Sequence, residues 1–484
     1  MYYNLKSIIV TSEYWSSKTD LSLYMRLYYI IKEAIIKRII PENIKIPSSR
    51  ILAIDLKVSR STIIKTYELL LLEKYIISKI GSGYTTTSTI YDSAIVEKPL
   101  KDGAKYPKVS KKAISFQKNK PVLSDNFSMK NIAFRPGLPP LDLFPVEKWS
   151  ALSKTYWKEC TPSILSNNPT EGLESLRQSV AGYLKLNRNI DCDYQQIFIV
   201  QGTIHSLYLI GNVLLDKHDK IIMENPTYPR AYKLFKSLKA SIIPCSIDSE
   251  GININSIHDK KVKLIITTPS NQFPLSIKMS LNRRLELLDW ASKRNSLIIE
   301  EDHDHEFCNL VNPIPSIFSL DQESRVIYQG TFNKLLHPSL GISYVIVPKY
   351  LINPMKAISD QSTRFICPSN QEIMHQFIKK DFLNQHIRNV MKIAGERRKL
   401  FINQTHDSLE IDESFEGLHL IGKVKSGLSD KTAFELLLKE DVAAYPLSNY
   451  YITKEKKEGL VIGYSSVNMK VMIEKTKVIN SIIG

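Results

Sequence analysis

The sequence predicts an α/β protein. A large domain on a mainly parallel sheet, with a small C-terminal subdomain, follows a compact helical module. Three observations carry this. From about residue 134, short apolar runs alternate with helical stretches, the pattern of buried strands separated by helices. Before that, residues 21–86 read as three helices and then a hairpin. Between them, residues 88–130 are rich in Lys, Ser and Pro and lack periodicity, as a linker does.

At roughly 100–200 residues per domain, 484 residues accommodate several domains. A hydrophobic fraction of 43% with 24% charged residues is that of a folded globular chain. Nowhere does an apolar run reach the about 18 residues of a membrane span. The N-terminus, MYYNLKSIIVTSEYW, lacks the uninterrupted apolar segment of an export signal. Cys160, Cys192, Cys245, Cys308 and Cys367 lie far apart without a CxxC or Cys/His cluster, so neither a metal site nor a disulfide framework is expected. The expected setting is the reducing cytoplasm. Net charge is +16, and it is uneven. Residues 1–90 carry 13 Lys/Arg against 7 Asp/Glu, and residues 91–133 carry nine Lys against 4 acids. A basic N-terminal quarter suits a nucleic-acid partner.

Residues 21–40 place Leu23, Leu27, Ile30, Ile31, Ala34 and Ile35 on one helical face and stop at Pro41. A second helix is expected near 48–56, packed by Ile51, Leu52, Ile54 and Leu56. A third, about 60–73, has Ser59 as its N-cap and buries Ile63, Tyr67 and Leu70 at i, i+4, i+7. That leaves Ser59, Arg60, Ser61, Thr62 and Lys65 on the solvent side near the helix start. Backbone N–H groups and hydroxyls there suit phosphate, and an Arg reads guanine edges. Arg50 and Lys79 would add backbone contacts. The stretch YIISKIGSGYTTT follows, with Gly81 and Gly83 at its turn. Three helices and a hairpin are the order of a winged helix-turn-helix, here bounded as 15–87. Segment 46–84 carries the strongest signal, and over about residues 20–86, with PSSR, LA, VSR-T, Y-LL-E and the GSG turn, the chain resembles the GntR-type winged helix. The resemblance implies Arg50, Arg60 and Thr62 as contacts to double-stranded DNA and Gly81 as a wing residue.

In the larger part the expected strands are IFIV (197–200), KIIM (220–223), KLIITT (263–268), SLIIE (296–300), VIY (326–328) and YVIV (344–347). Helices are expected at 203–215 and 280–294, and a long helical stretch at 370–405 leads into the C-terminal subdomain. Five polar segments sit at strand ends. QGTIHSLYL (201–209) opens a helix, with Gly202 free to turn and the N–H groups of Thr203 and Ile204 facing an anion. ENPTYPRAY (224–232) carries Tyr228 and Arg230; TTPSNQFPLS (267–276) carries Asn271; IIEEDHDHEF (298–307) ends a strand in acids. IYQGTFNKLLHPSLG (327–341) sets Lys334 among Gly330, Thr331 and Asn333. In an open α/β sheet such strand ends converge on one crevice.

The ordered set resembles the fold-type-I pyridoxal-phosphate (PLP) enzymes. With the N-terminal module, the chain resembles the MocR-type subfamily of GntR regulators, over roughly 134–470 in the larger part. PxxDLFP (139–145), G–LR (172–177), TPS–QFP, RR–LL (283–288) and GTF–K belong to the match. The resemblance implies a PLP-dependent transferase-like domain over 131–484 with PLP as cofactor. Lys334 would bond to it covalently, and Tyr228 would stack on its ring. Thr203, Ile204 and Thr331 would hold its phosphate, and an acid would pair with the pyridine nitrogen. Glu301 aligns there, with Asp302 as the alternative. Asn271, His303 and Asn333 complete the cofactor set, and Arg230 would meet the carboxylate of an amino-acid-like ligand.

The sequence also departs from that pattern. His303 stands where the family has Tyr, Gly341 where it has a phosphate-binding Arg, Asn333 where it has Ser, and Ser166 where the partner subunit lends a Tyr. GLVIGYS (459–465) lacks the carboxylate-binding Arg of aminotransferases. Each lost charge-assisted hydrogen bond costs about 1.5–3 kcal/mol. The expected protein is therefore a DNA-binding transcription regulator, homodimeric, that senses a small amine or amino acid through weakly held PLP. A working aminotransferase and a cofactor-free dimerisation scaffold are the alternatives.

Overall fold

The computed structural model of the chain describes residues 3–16, 21–79, 83–87, 108–119, 132–166, 168–258, 261–308, 313–412 and 416–484. It divides into two compact units, Met1–Lys108 and Val109–Gly484.

In the smaller unit the helices are α1 (Leu5–Thr11), α2 (Glu13–Ser16), α3 (Leu23–Ile36), α4 (Ser49–Leu56) and α5 (Arg60–Leu72). The strands are β1 (Lys45–Ile46), β2 (Ile76–Lys79) and β3 (Gly83–Thr86), paired antiparallel in the order β1-β3-β2. The core joins Leu27, Ile31, Leu52, Ile63, Tyr67 and Leu70. This is the expected three-helix and hairpin arrangement, with two corrections. The unit begins before residue 15, because α1 places Leu5 and Ile9 in the same core. The two-turn α4 buries Leu52, Ala53 and Leu56, while Ile51 and Ile54 are exposed. So short a helix has one buried stripe, and 51 and 54 lie off it. Gly81 lies outside the described residues.

The larger unit is built on an eight-stranded sheet of β4 (Ile197–Val200), β5 (Lys220–Asn225), β6 (Ser241–Asp248), β7 (Gly251–Ile252), β8 (Val262–Thr267), β9 (Leu297–Glu301), β10 (Val326–Thr331) and β11 (Ser343–Ile346). Their order is β4-β11-β10-β9-β8-β5-β6-β7. The five neighbours from β10 to β6 are parallel, and β11 and β7 run against them. Ile and Val dominate these strands because both faces are covered by helices. Six strands therefore deliver their C-terminal ends to the same edge of the sheet.

Of the expected linker, residues 88–107 and 120–130 lie outside the described residues. Between them, α6 (Lys111–Lys118) is part of the larger unit. It packs on the helix Pro229–Ser237, with Phe116 against the core and Ser115 Oγ donating to the Ser237 carbonyl at 3.3 Å. The expected helical stretch 370–405 is two helices, Pro368–Lys379 and Phe382–Thr405, parted at Asp381 with φ 59°. The C-terminal subdomain is an antiparallel sheet of β12 (Leu409–Ile411), β13 (Leu420–Val424), β14 (Tyr445–Pro446) and β15 (Leu460–Ile462) with its own core. Among the described residues no helix is long and apolar enough to cross a membrane.

Candidate functional site

Two places concentrate polar side chains that the fold does not consume. The first is the start of α5. Ser59 caps the helix, accepting from the Thr62 N–H at 3.2 Å, and its hydroxyl also meets Ser61 Oγ and Thr62 Oγ1. Thr66 Oγ1 donates to the Tyr24 carbonyl and Tyr67 Oη to the Pro47 carbonyl, fixing α5 on the rest of the unit. With Ile63, Tyr67 and Leu70 buried, Arg60, Ser61 and Lys65 stand in solvent and Thr62 is half-buried. Arg50 on α4 and Lys79 on β2 are exposed as well.

The second is a cavity of about 580 Å³ at the C-terminal ends of β4, β5, β8, β9 and β10. That volume is typical of a small-molecule site. Thr203, Ile204, Tyr228, Arg230, Glu301, His303, Thr331, Asn333 and Lys334 all line it. After β4, Gly202 turns with φ 118° into the helix Thr203–Leu214, whose first N–H groups are unpaired helix-start donors. The φ of 118° is one that L side chains rarely adopt, so this turn requires glycine, although a Cβ there would meet Asn333 Nδ2 at an ordinary 3.5 Å. Thr331 Oγ1 accepts from Asn333 N–H and Ser343 Oγ, which fixes the loop carrying Lys334. The Lys334 ammonium nitrogen touches His303 Nδ1, lies 3.2 Å from Nε2, and stands 5.7 Å over the Phe273 ring.

Burial raises the Glu301 carboxyl above its ordinary range, while Lys334 and a Thr203 hydrogen bond favour its charge. Burial likewise holds the His303 imidazole neutral, with its pKa down to about 3; Asp304 opposes this and Lys334 adds to it. The Tyr228 phenol is pushed up to about 12, again by burial. Arg230, in the first turn of Pro229–Ser237, is exposed at the rim.

Two expected residues are elsewhere. Asp302 follows Glu301 and so projects to the opposite side. There it receives Arg188 Nε at 2.7 Å and Nη2 at 3.0 Å, with Ser270 and Tyr328 hydroxyls also donating. Burial disfavours its charge, but Arg188 outweighs that and holds the carboxyl well below its usual range. Asn271 is fully buried, with Nδ2 directed to the Glu416 carbonyl, and Phe273 lines the cavity instead. Among the departures, Gly341 takes φ 65° in a turn and Ser166 is exposed at the end of Pro162–Ser166.

Sequence reasoning missed Glu224, Tyr445, Asn449 and Tyr450 in the wall. Glu224 opens the segment that carries Tyr228, and its carboxylate is taken up by Thr267, Thr268 and Gln272. The tyrosines come from the C-terminal subdomain and carry no local signal.

An amine, a buried carboxylate across from it and an anion-accepting helix start fit PLP, with the phosphate side lacking a cation at Gly341. The fold defines a winged-helix module and a larger domain of aminotransferase architecture. The chain belongs to the aminotransferase class I and II family, matched over residues 143–461, and with its winged helix it is an HTH-type transcriptional regulator of the MocR type. It is 29% identical over 459 residues to the probable rhizopine catabolism regulatory protein MocR of Rhizobium meliloti, covering 94% of this chain and 92% of that one. It is 31% identical to the uncharacterized HTH-type transcriptional regulator YdeL of Bacillus subtilis, covering 93% of this chain and 94% of that one. In fold, the Pyrococcus horikoshii kynurenine aminotransferase in complex with PMP superposes with a TM-score of 0.66 at 24% identity, covering 78% of this chain and 95% of that one.

Proposed function

We propose that this transcription regulator binds duplex DNA through the start of α5 and the wing, and that its larger unit holds PLP and responds to a small amine or amino acid. The observation that carries the reading is the presence of Lys334 and Glu301 in the wall of one cavity, in a chain whose smaller unit presents an exposed, serine-capped helix start. PLP, when bound, supplies an aldehyde that bonds reversibly to primary amines and an electron-poor ring. The residues do the rest. Glu301 would hold a proton at the pyridine nitrogen, and Tyr228 would pack against the ring. The N–H groups of Thr203 and Ile204, with Thr331, would receive the phosphate. Lys334 passes a proton to or from His303 Nδ1, and Arg230 orients a ligand carboxylate at the rim. Without a cation at Gly341 the grip on phosphate is weakened, which suits a sensor that exchanges ligands more than an enzyme that turns them over. The protein acts as a homodimer, whose two winged helices read two half-sites.

The test is a duplex selected from a random library by the purified protein, then titrated with and without a panel of amines. Wild type should show amine-dependent affinity that Lys334→Ala lacks. An unchanged response in Lys334→Ala makes the larger unit a scaffold, and rapid multiple-turnover transamination by wild type makes it an enzyme.

A further inference from the structure

Beside the main cavity, and sharing Gly137, Phe273, His303 and Lys334 with it, lies a second small space. It measures about 10 Å³, roughly the room for one water-sized sphere. His303, Asp304 and His419 line it, together with Leu418, Gly137 and Lys334. The three ligand-type side chains are nearly inaccessible, at 5%, 5% and 2% exposure. One nitrogen of each imidazole and one Asp304 oxygen lie within 4.8 Å of one another. Asp304 and His419 do not line the larger cavity. From this geometry we infer a binding site for one divalent ion of the zinc class, held by His303, Asp304 and His419.

The donor set selects the ion. Two imidazoles and one carboxylate suit zinc, cobalt or nickel, whereas magnesium and calcium want oxygen ligands. Bonds of about 2.0–2.2 Å in a tetrahedron put ligand atoms about 3.4 Å apart. The His303 Nε2 and Asp304 Oδ2 atoms already stand at 3.4 Å. The remaining separations are at most 4.8 Å, so His419 has to move in to complete the tetrahedron.

The surroundings fit as well. His419 Nε2 donates to the Pro274 carbonyl at 2.9 Å, which leaves the lone pair on Nδ1. A backbone carbonyl fixing the tautomer in this way is the usual outer partner of a metal-binding histidine. Asp304 takes the left-handed conformation, φ 54°, and its Oδ2 accepts from the Leu418 N–H at 3.4 Å. That ties the carboxylate to the segment carrying His419. The ligands come from two segments more than a hundred residues apart, so a search for a local Cys/His cluster passes over them.

The experiment is equilibrium dialysis of the full, metal-stripped, reduced protein against zinc chloride, cobalt chloride or magnesium chloride, without cofactor or DNA. It therefore succeeds or fails independently of the regulatory reading. Wild type should take up one zinc or cobalt per chain and no magnesium. Bound cobalt should give visible ligand-field bands without the near-ultraviolet band of a cobalt–thiolate bond. Asp304→Asn and His419→Gln should each weaken zinc binding by about a hundred-fold or more, since even outer partners are worth 10–100-fold. His303→Tyr places the family's own residue in the site. It should keep the fold, read by circular dichroism, and lose the ion. Failure of wild type to bind zinc saturably, a thiolate band, or one zinc retained undiminished in His303→Tyr would each overturn the site.

Discussion

On α5, Arg60, Ser61 and Lys65 stand in water, on a helix whose opposite face is anchored by Ile63, Tyr67 and Leu70. In the larger unit, Asp302 and His303 are cut off from water, Glu301 is half-buried in the cavity wall, and Lys334 reaches His303 from a loop. Exposed charges can be exchanged at little folding cost, so this surface can change its chemistry without disturbing the core. Buried charges must each be matched. Adjacent residues then divide the work, Glu301 facing the ligand space and Asp302 holding the fold through Arg188, Ser270 and Tyr328. Function and stability are separable on the first surface and interleaved residue by residue in the second.

The largest test sets those neighbours against each other. Asp302→Ala strands the buried Arg188 and should cost about 3–5 kcal/mol in the denaturant unfolding of the larger unit. Glu301→Gln should leave that transition within about 1 kcal/mol while removing the partner of the pyridine nitrogen. Equal losses from both would erase the division of labour. On the exposed side, Arg60→Ala should cost about 1–3 kcal/mol at the selected duplex without moving the unfolding transition. A comparable loss of stability would show that the helix start is not free of the core.

A third test uses Glu300, which accepts from the N–H groups of Ile317 and Phe318 and sits 3.9 Å from Arg284. Burial, reinforced by Asp302, raises its carboxyl from 4.5 to about 7. Folding therefore favours the protonated form. This contribution is full below pH 4.5 and is lost as pH rises through about 7. Between pH 5.5 and pH 8 the stability of wild type relative to Glu300→Gln should fall by about 2 kcal/mol, measured by denaturant titration at each pH. A flat difference would mean that Arg284 neutralises the site. The smallest effect is expected at the cap. Ser59→Ala should cost α5 about 1 kcal/mol, seen as faster amide hydrogen exchange at Thr62 in the full chain.

What was readable in the sequence follows from the same contrast. Parallel strands buried on both faces show as plain apolar runs, and 197–200 matches β4 residue for residue. β6 escaped because Pro244 and Cys245 interrupt SIIPCSID. The caps and the i, i+4, i+7 stripe of α5 are local, and they were legible. The short α1 was not, since seven residues carry too little periodicity and its burial depends on α3 and α4. In the cavity, the polar loop residue Asn271 looked like a ligand contact, yet it spends its amide on Glu416 and leaves Phe273 at the wall. Which side a loop residue faces depends on the segment packed against it, here 416–419.

Within the larger unit, the helix Pro229–Ser237 links the cavity wall to α6. Its first turn holds Arg230, with Ala231 and Lys233 in the cavity wall, and its last residue meets Ser115 of α6. The nine residues make a rod about 13 Å long. Val109, two residues ahead of α6, is where the chain leaving the smaller unit joins the larger one. One rigid element thus serves both the rim of the cavity and the seat of α6, so a substitution that breaks the helix Pro229–Ser237 would disturb the two together within the larger unit.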